Sequence, residues 1–478
     1  MGGSCCNDLG AMSSITTNIT QHPPFAPNRG DGRGRVYIET YGCTFNVSDS
    51  EAMAGLLAAA GFEIVASEAE ADVVVVNSCI VKDRSYWDLR KRLGGLCARR
   101  DREGGPVVVL AGCAPRVPAH GREFAALPQL GPDNVASVVE VVERALRGEI
   151  VHRTERRPEP ARVALPKRRR NPAIEIIPIS KGCLGACTFC QTVLARGRLY
   201  SFDEEQILDA IRAAVSEGVR QIWLTSQDCG AYGRDRDTTL PKLLRRIAEM
   251  PGDFRVRLGM VNPDWAKLYA EELAEIYAHP RFYAFAHLPV QSGSDAVLQA
   301  MRRNYSARDF EEVCEVLRRR VPEIAIATDI IAGFPTERDH DWEQTVALLR
   351  RVRPAVVNRS RFSPRPGTAA ARLSPLPSAV VGQRSRELAD LTLALTQERL
   401  RHRVGDLCEV VVEEQARPGS VVARDRCYTS IIVEGSWPLG SRLSVRLTRV
   451  ERFHLRAEVV CHSHGESAEL AACTVERG

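Results

Sequence analysis

The sequence predicts an α/β protein of three parts: an N-terminal α/β domain with a parallel sheet, a central incomplete α/β barrel and a small C-terminal all-β barrel. Three observations predict this fold. Apolar strand-like runs alternate with helical stretches over residues 34–150, six strand–helix repeats follow in series, and short alternating runs separated by glycines fill the chain after residue 403. At 478 residues the chain also exceeds what one hydrophobic core usually organises.

The predicted N-terminal domain spans residues 34–150. The strand-like run VYIET precedes an amphipathic stretch at Asp49–Ala60, and helical sequence follows each of the apolar runs Val73–Val76 and Val107–Leu110. Such alternation is typical of a parallel sheet. Residues 1–33 are polar and rich in Gly, Pro, Asn and Thr, so we expect a mobile tail there.

Residues 151–172 are predicted to be a basic linker. Between Val151 and Arg170 two acidic residues stand against eight basic ones, which are Arg153, Arg156, Arg157, Arg162, Lys167, Arg168, Arg169 and Arg170. A basic run of this kind contacts RNA phosphates or is a solvated linker with no partner, and charge alone does not choose between them. Arg168, Arg169 and Arg170 are the candidate RNA contacts.

The central domain is predicted over residues 173–400. Its strand-like segments are Ile174–Ile179, Arg220–Thr225, Arg255–Gly259, Tyr283–Leu288, Ile324–Ile330 and Ala355–Asn358, with helix-like segments between them. In an α/β barrel the chemistry lies at the carboxyl ends of the strands. The β module follows over residues 401–466, with a short tail at 467–478; its predicted strands are Leu407–Val412, Thr429–Val433, Arg442–Leu447 and Ala457–Val460.

Composition limits the class of protein. No run of about 18 apolar residues occurs and the start of the chain lacks a secretion signal, so we expect a soluble, cytoplasmic protein with no membrane contact. The 15 cysteines are scattered through a long chain. In a reducing compartment, metal binding or burial explains them better than disulfides do.

Three cysteines form the spacing C-x3-C-x2-C in the segment KGCLGACTFC, directly after the first strand of the central domain: Cys183, Cys187 and Cys190. Three thiolates hold three irons of a [4Fe–4S] cluster and leave the fourth iron open. An open iron can chelate S-adenosylmethionine (SAM) and pass one electron to its sulfonium, which makes a carbon radical. The alternative is a zinc site, but no fourth ligand lies at paired spacing.

Three further cysteines each follow an apolar strand of the first domain: Cys43 after VYIETYG, Cys79 after VVVVNS and Cys113 after VVVLAG. The carboxyl ends of parallel strands meet along one edge of a sheet, so these thiols are expected to come together. They could then hold a second three-cysteine cluster. The alternative is that each is a packing residue, as single cysteines at strand ends usually are.

Many blocks of the chain resemble the radical-SAM methylthiotransferases in ordered succession from about Arg35 to Thr368: ETYGCTFNVSDSE, NSCIVK, VVLAGCAP, KGCLGACTFC, ARGRL, IWLTSQDCGAYGRD, HLPVQSGSD, ATDIIAGFP and SPRPGT. The resemblance is to the archaeal and eukaryotic branch, which modifies N6-threonylcarbamoyladenosine beside the tRNA anticodon. The closing β module then resembles the RNA-binding TRAM domain of these enzymes.

The resemblance implies two [4Fe–4S] clusters, SAM as cosubstrate and a tRNA anticodon loop as substrate. In the family, one SAM methylates a sulfide carried by the N-terminal cluster, and a second SAM gives the 5′-deoxyadenosyl radical that activates C2–H of the adenine. An electron donor and a sulfur source, both of unknown identity, are implied partners. The SAM-binding residues implied are Gln227, Asp228, Arg257, Gln291 and Ser292; for the polar residues after the second barrel strand the alternative is a helix cap.

Two stretches depart from the family pattern, residues 191–194 and 359–363, and both are expected to lie near the RNA. Two alternative functions are also compatible with the sequence. One keeps the chemistry and changes the substrate to isopentenylated adenosine or a ribosomal-protein aspartate. Another is a non-catalytic iron–sulfur protein that binds RNA.

Overall fold

The computed structural model describes residues 24–28, 30–80, 83–157 and 159–462. Three packed units follow one another along the chain, which confirms the predicted fold class: a parallel α/β domain, an open α/β barrel and a closed β-barrel. The predicted tail at 467–478 lies outside the described residues, as do residues 1–23.

The first unit is a six-stranded sheet in the order β2-β1-β3-β4-β5-β6, and every neighbouring pair is parallel. Its strands are β1 (Arg35–Thr40), β2 (Glu63–Ile64), β3 (Val73–Ser78), β4 (Val107–Gly112), β5 (Gln129–Leu130) and β6 (His152–Arg153). Its helices are α1 (Thr44–Ala59), α2 (Asp83–Glu103), α3 (Pro118–Glu123) and α4 (Val138–Leu146). The central strands are buried on both faces, with one core shared with α1 and α4 and another with α2.

The prediction of a mobile tail over residues 1–33 is wrong for its last part, because residues shortly before position 34 pack on this domain. Phe25 is buried in the core beneath α1 and α4. The Asn28 side chain accepts a hydrogen bond from the Ile64 backbone at 2.6 Å. These two contacts hold the segment against the domain.

The second unit is a curved, open barrel of two three-stranded parallel sheets, β11-β10-β7 and β12-β13-β14, joined by a bridge between Val256 and Phe282. Its strands are β7 (Ile174–Pro178), β10 (Gln221–Thr225), β11 (Arg255–Leu258), β12 (Phe285–His287), β13 (Ala325–Ala332) and β14 (Val356–Arg361). A small hairpin of β8 (Ser180–Lys181) and β9 (Tyr200–Ser201) flanks the cysteine loop. All six predicted barrel strands are present, with bounds shifted by one to three residues.

The helices of this unit cover the outer face of the strands, except the first, which follows the cysteine loop and packs against the N-terminal domain. They are α5 (Thr192–Arg196), α6 (Glu204–Ser216), α7 (Leu240–Ala248), α8 (Pro263–Ala266), α9 (Ala270–Ala278), α10 (Asp295–Ala300), α11 (Ala307–Arg320), α12 (Asp339–Val352) and α13 (Ser378–Arg401). On the open side, α1 of the first unit packs against the outer strand β7, where Val47 contacts Ile174 and Ile176. The N-terminal domain therefore closes the side of the barrel that its own strands leave open.

The third unit is a closed five-stranded barrel in the order β15-β16-β17-β19-β18, in which only β17 and β19 pair in parallel. Its strands are β15 (Leu407–Gln415), β16 (Ser420–Arg424), β17 (Ser430–Glu434), β18 (Arg442–Val450) and β19 (Leu455–His462). The loop before β17 inserts Tyr428 under the central barrel, against Tyr283 and Phe285. Among the helices of the described residues, none has the length and apolarity to cross a bilayer.

The interpretation of residues 151–172 as a solvated linker is wrong. His152–Arg153 forms β6 of the first sheet, and Arg162 and Val163 are buried in a short 3₁₀ helix at Pro160–Ala164. Lys167 donates to Glu175 at 2.6 Å. The chain between the two domains is thus part of their contact.

Candidate iron–sulfur and SAM site

The first cysteine set lies along one edge of the N-terminal sheet. Cys43, Cys79 and Cys113 follow β1, β3 and β4, which lie side by side in that order, each just past the carboxyl end of its strand. The Cys113 backbone donates to the Ser78 carbonyl at 3.0 Å. The structure therefore brings together the three cysteines that the sequence places 36 and 34 positions apart.

Two residues around this edge fix the spacing of its thiols. Gly42 has φ +127°, and a Cβ placed there would lie 2.6 Å from the Cys79 Cβ, so only glycine allows the two strand ends to approach this closely. Asn46 donates to the Ser78 carbonyl at 3.0 Å and accepts from the Cys43 thiol at 3.3 Å. The amide side chain thus ties the start of α1 to the end of β3.

A buried cation faces this set. Burial raises the pKa of the Cys43 thiol, the nearby Arg196 guanidinium opposes that effect, and the neighbouring Cys113 adds to it. Arg196 stacks on the Phe45 ring, 4.5 Å from guanidinium carbon to ring centroid, and pairs with Asp49 at 2.8 Å. A positive charge held beside clustered thiols favours their anionic, metal-binding form.

The second set lies in the loop between β8 and α5. Gly182 has φ +75°, and a Cβ there would lie 2.1 Å from the Arg198 carbonyl oxygen, so the loop turns back on itself at a position that excludes other residues. Cys183, Cys187 and Cys190 are all partly exposed on this loop. Burial raises the pKa of the Cys183 thiol to about 12.

Each sulfur of the second set has its own N–H donor. The Gly185 backbone donates to Cys183 at 3.2 Å, and the Thr192 backbone donates to Cys190 at 3.4 Å. The Arg303 guanidinium donates to Cys187 at 3.0 Å. Three separately stabilised sulfurs fit the three anionic ligands of a [4Fe–4S] cluster, because hydrogen bonds to the sulfurs are among the features that tune such clusters.

The geometry does not suit a single metal ion. Within the described ranges, no three His, Cys, Asp or Glu side chains are grouped closely enough to hold one ion. A cubane binds each thiolate at a different iron, so its ligands need not converge on one point. The second set, for which zinc was the alternative, therefore fits a cluster better than a zinc site.

Gln227 and Asp228 lie after β10, as predicted, and both bond to the protein. The Gln227 side chain accepts from the Gly182 backbone at 2.7 Å, which ties the cysteine loop to the barrel. Asp228 is buried; it accepts from the Asn262 side chain at 2.6 Å and caps the 3₁₀ turn Cys229–Ala231. Burial raises the pKa of Asp228 to about 6. The capping role is thus observed for Asp228 and not for Gln227, and contact with SAM stays a prediction for both residues.

The other candidate SAM residues occupy different environments. Arg257 points at the aromatic layer inside the barrel, with its guanidinium carbon 5.2 Å from the Trp223 ring and 5.0 Å from the Tyr428 ring. Gln291 has φ +74°, a strained conformation for a residue with a side chain. Ser292 is buried and accepts from the Ser294 backbone at 3.2 Å. Their contact with SAM also stays a prediction.

The linker arginines have partners within the protein. Arg168 donates to the Ala26 carbonyl at 2.8 Å, and Arg169 pairs with Glu175 and, at 2.6 Å, with Glu217. Arg170 lies over the Phe25 ring, 4.2 Å from guanidinium carbon to centroid, and bonds to Thr40. These contacts give the three side chains a structural role, and RNA contact by them stays a prediction.

Sequence reasoning missed the charged and polar residues that support both cysteine sets. Asp49, Arg162, Arg196, Asn262 and Arg303 are far apart in the chain and belong to no spaced motif of their own. Position was a signal for two of them: Asp49 lies within the ETYGCTFNVSDSE block, and Arg196 lies six residues after Cys190, within the ARGRL block.

Three family models match the chain. The Radical SAM superfamily matches residues 177–349, the Uncharacterized protein family UPF0004 matches 35–128, and the TRAM domain matches 401–460. These matches agree with the three units of the fold, and the first supports SAM and an iron–sulfur cluster as cofactors.

Curated relatives match over most of their length. The "Threonylcarbamoyladenosine tRNA methylthiotransferase" of Drosophila pseudoobscura pseudoobscura is 41% identical over 438 residues, covering 90% of this chain and 78% of that protein. The human protein of the same name is 40% identical, covering 84% and 70%. The "Probable threonylcarbamoyladenosine tRNA methylthiotransferase" of Pyrococcus abyssi is 38% identical, covering 87% and 96%. The motifs, the fold and these relatives agree, and the chain belongs to the threonylcarbamoyladenosine tRNA methylthiotransferase family of the radical SAM superfamily.

Proposed function

We propose that this chain is a tRNA methylthiotransferase that replaces the C2 hydrogen of N6-threonylcarbamoyladenosine, beside the anticodon, with a methylthio group. The proposal is carried by the closeness of the two cysteine sets. Helix α5 begins two residues after Cys190 and ends at Arg196, whose guanidinium interacts with Cys43 and Cys113. Five helical residues span about 7.5 Å, so the two sets are one short helix and one side chain apart.

When bound, the cluster on Cys183, Cys187 and Cys190 would supply the electron that cleaves SAM, and the other cluster would carry the sulfur that is transferred. The chain's own residues arrange the space between them. Leu194 and Ala195 of α5 pack into the apolar core of the N-terminal domain. An apolar contact beside both sets limits the access of water, which protects reactive intermediates from side reactions.

A pair of arginines between the barrel and the C-terminal module is our proposed phosphate contact. Arg359 and Arg452 are exposed, and within the described residues neither has a carboxylate partner within 4 Å. Burial of part of the side chain lowers the pKa of Arg359, the like charge of Arg452 lowers it further, and the Asp390 carboxylate opposes both effects. Like charges held close together favour a bound anion, and the phosphates of an anticodon loop supply one.

The remaining partners follow from the chemistry. Cleavage of SAM requires a one-electron donor, and repeated transfer of sulfur requires a source that restores it. We propose that both are separate molecules. A tRNA substrate and a reductive reaction support a cytoplasmic location.

The test is a product assay under anaerobic conditions. The full chain, reconstituted with iron and sulfide, is incubated with dithionite, SAM and tRNA that carries N6-threonylcarbamoyladenosine, and the digested nucleosides are analysed by mass spectrometry. We expect a methylthio adduct on that nucleoside and formation of 5′-deoxyadenosine. The same tRNA lacking the threonylcarbamoyl group is the control.

Two results favour the other readings. Faster methylthiolation of isopentenylated adenosine, or of a ribosomal-protein peptide carrying the target aspartate, would change the substrate and keep the reaction. Formation of no 5′-deoxyadenosine by protein with full iron content would support a non-catalytic RNA-binding protein.

A further inference from the structure

One guanidinium, that of Arg303, contacts the second cysteine set and is fixed on all of its nitrogens. Nη1 donates to the Cys187 sulfur at 3.0 Å and Nε donates to the Tyr305 hydroxyl at 2.7 Å. Nη2 donates to the Asn262 side-chain oxygen and, at 3.3 Å, to the Pro289 carbonyl. The side chain lies just after α10, 116 positions from the cysteine that it contacts.

The orientation of Arg303 is set by a second layer of contacts. Asn262 donates to Asp228 from both its backbone, at 3.1 Å, and its side-chain nitrogen, at 2.6 Å. Because the side-chain nitrogen of Asn262 donates to Asp228, its side-chain oxygen faces Arg303. The Trp265 indole also donates to Asp228, at 2.9 Å. A relay thus runs from Asp228 through Asn262 and Arg303 to the Cys187 sulfur.

The charge of Arg303 is directed at sulfur. Among the ion pairs of the described residues, Arg303 has no carboxylate within 4 Å. A hydrogen bond from a charged donor is roughly twice as strong as a neutral one. The carboxylates of Asp228 and Asp264 interact with Arg303 from farther away, and the Cys187 sulfur is the group that accepts a hydrogen bond from it directly.

We propose that Arg303 is a positioning residue that sets the reduction potential of the cluster held by Cys183, Cys187 and Cys190. Reduction adds one electron and so one negative charge to the cluster. A cation hydrogen-bonded to a ligand sulfur stabilises that reduced form, and hydrogen bonds to sulfur and net charge are known determinants of cluster potentials. The relay from Asp228 then holds Arg303 in the orientation that favours electron transfer to the cluster. The proposal rests on the first cluster of the proposed function and needs no tRNA.

The experiment measures the midpoint potential of this cluster by redox titration followed by electron paramagnetic resonance. It uses the full chain with Cys43→Ala, Cys79→Ala and Cys113→Ala, so that one cluster gives the signal. We expect Arg303→Met to lower the ratio of reduced to oxidised cluster at a fixed donor potential by about tenfold, which is a shift of about 59 mV to lower potential for a one-electron couple. Arg302→Met, at the exposed neighbouring arginine, is the matched control and should leave the potential unchanged.

Two further variants separate tuning from folding. Arg303→Lys keeps the charge but loses the fork, and Tyr305→Phe removes one anchor without touching sulfur; both should shift the potential in the same direction by a smaller amount. An unchanged potential in Arg303→Met at full iron content would overturn the proposal. If Arg303→Met does not retain iron, unchanged potentials in Arg303→Lys and Tyr305→Phe would overturn it. The titration contains no tRNA, so it can succeed or fail independently of whether the protein methylthiolates its proposed substrate.

Discussion

Arg196 and Asp49 form a buried ion pair, with 2.8 Å between Nη2 and Oδ2 and side chains that are 4% and 1% exposed. Arg196 ends the helix that follows Cys190, and Asp49 lies in the helix that follows Cys43. Asp49 also pairs with Arg162 of the segment between the domains. One carboxylate thus joins the two cysteine-bearing elements and the chain that connects them.

Replacing Asp49 should destabilise the fold strongly. In Asp49→Asn, Arg162 keeps Glu159 at 2.5 Å as a partner, but Arg196 is left buried without a carboxylate. Breaking a buried pair in this way costs about 3–5 kcal/mol. Chemical denaturation of the metal-free chain measures the change. The control is Asp209→Asn, which breaks an exposed pair with Arg212 worth about 0–1 kcal/mol; equal effects would contradict the role given to Asp49.

The first cysteine set should depend on a glycine. Gly42→Ala places a Cβ 2.6 Å from that of Cys79 at φ +127°, so the thiols must move apart. We expect iron content after reconstitution to fall by about half, since one of two cubanes is lost. Gly218→Ala is the matched control, because its φ is +89° but open space surrounds it. Full iron content in Gly42→Ala would show that this close approach is dispensable.

Replacing a linker arginine and replacing the proposed phosphate contact should have opposite effects on melting temperature and on the salt dependence of tRNA binding. Arg170→Ala loses its stacking on Phe25 and its bond to Thr40, so we expect a lower melting temperature and an unchanged salt dependence of tRNA binding. Arg359→Ala with Arg452→Ala should leave melting unchanged and reduce the salt slope by about 1 per residue. A flatter slope in the Arg170 variant would instead confirm the RNA contact predicted from the sequence.

Stability should depend on pH through Glu51. Burial raises the pKa of this α1 carboxyl to about 7, whereas the unfolded value is about 4.3. The folded state therefore binds more protons between these values, and its stability is lost as pH rises through that window. Glu51→Gln should remove this loss and stabilise the fold by up to about 4 kcal/mol at pH 8 but not at pH 4, at about 1.4 kcal/mol per pKa unit. Melting at both pH values measures it, with the exposed Glu205→Gln as control; a Glu51→Gln variant that gains nothing at pH 8 would contradict it.

The strand ends that carry the cysteines could be predicted because each follows a run of apolar residues, the clearest pattern in this part of the sequence. Val73–Ser78 is buried throughout, and a run of apolar residues that precedes a helix predicts a parallel strand and its carboxyl end. Strand β16 was missed because its sequence, SVVAR, is short and lacks the alternation of apolar and polar residues that marks a half-buried strand. Its last four residues are all buried, including Arg424, which pairs with Glu413 at 3.1 Å.

The supports of the site could not be predicted, because they join distant parts of the chain. Arg303 contacts Asn262 across 41 positions and Cys187 across 116. Side-chain hydrogen bonds between loops leave no period in the sequence. The same holds for Phe25, whose burial depends on a site between helices and linker that exists only in the folded domain.

The central claim is that Cys43, Cys79 and Cys113 hold one cubane while Cys183, Cys187 and Cys190 hold another. The most direct measurement is iron and acid-labile sulfide per chain after anaerobic reconstitution of the full chain and of two variants, each with one set replaced by alanine. We predict about eight of each for the unaltered chain and about four for either variant. About four iron atoms in the unaltered chain, with no loss on replacing Cys43, Cys79 and Cys113, would contradict the claim.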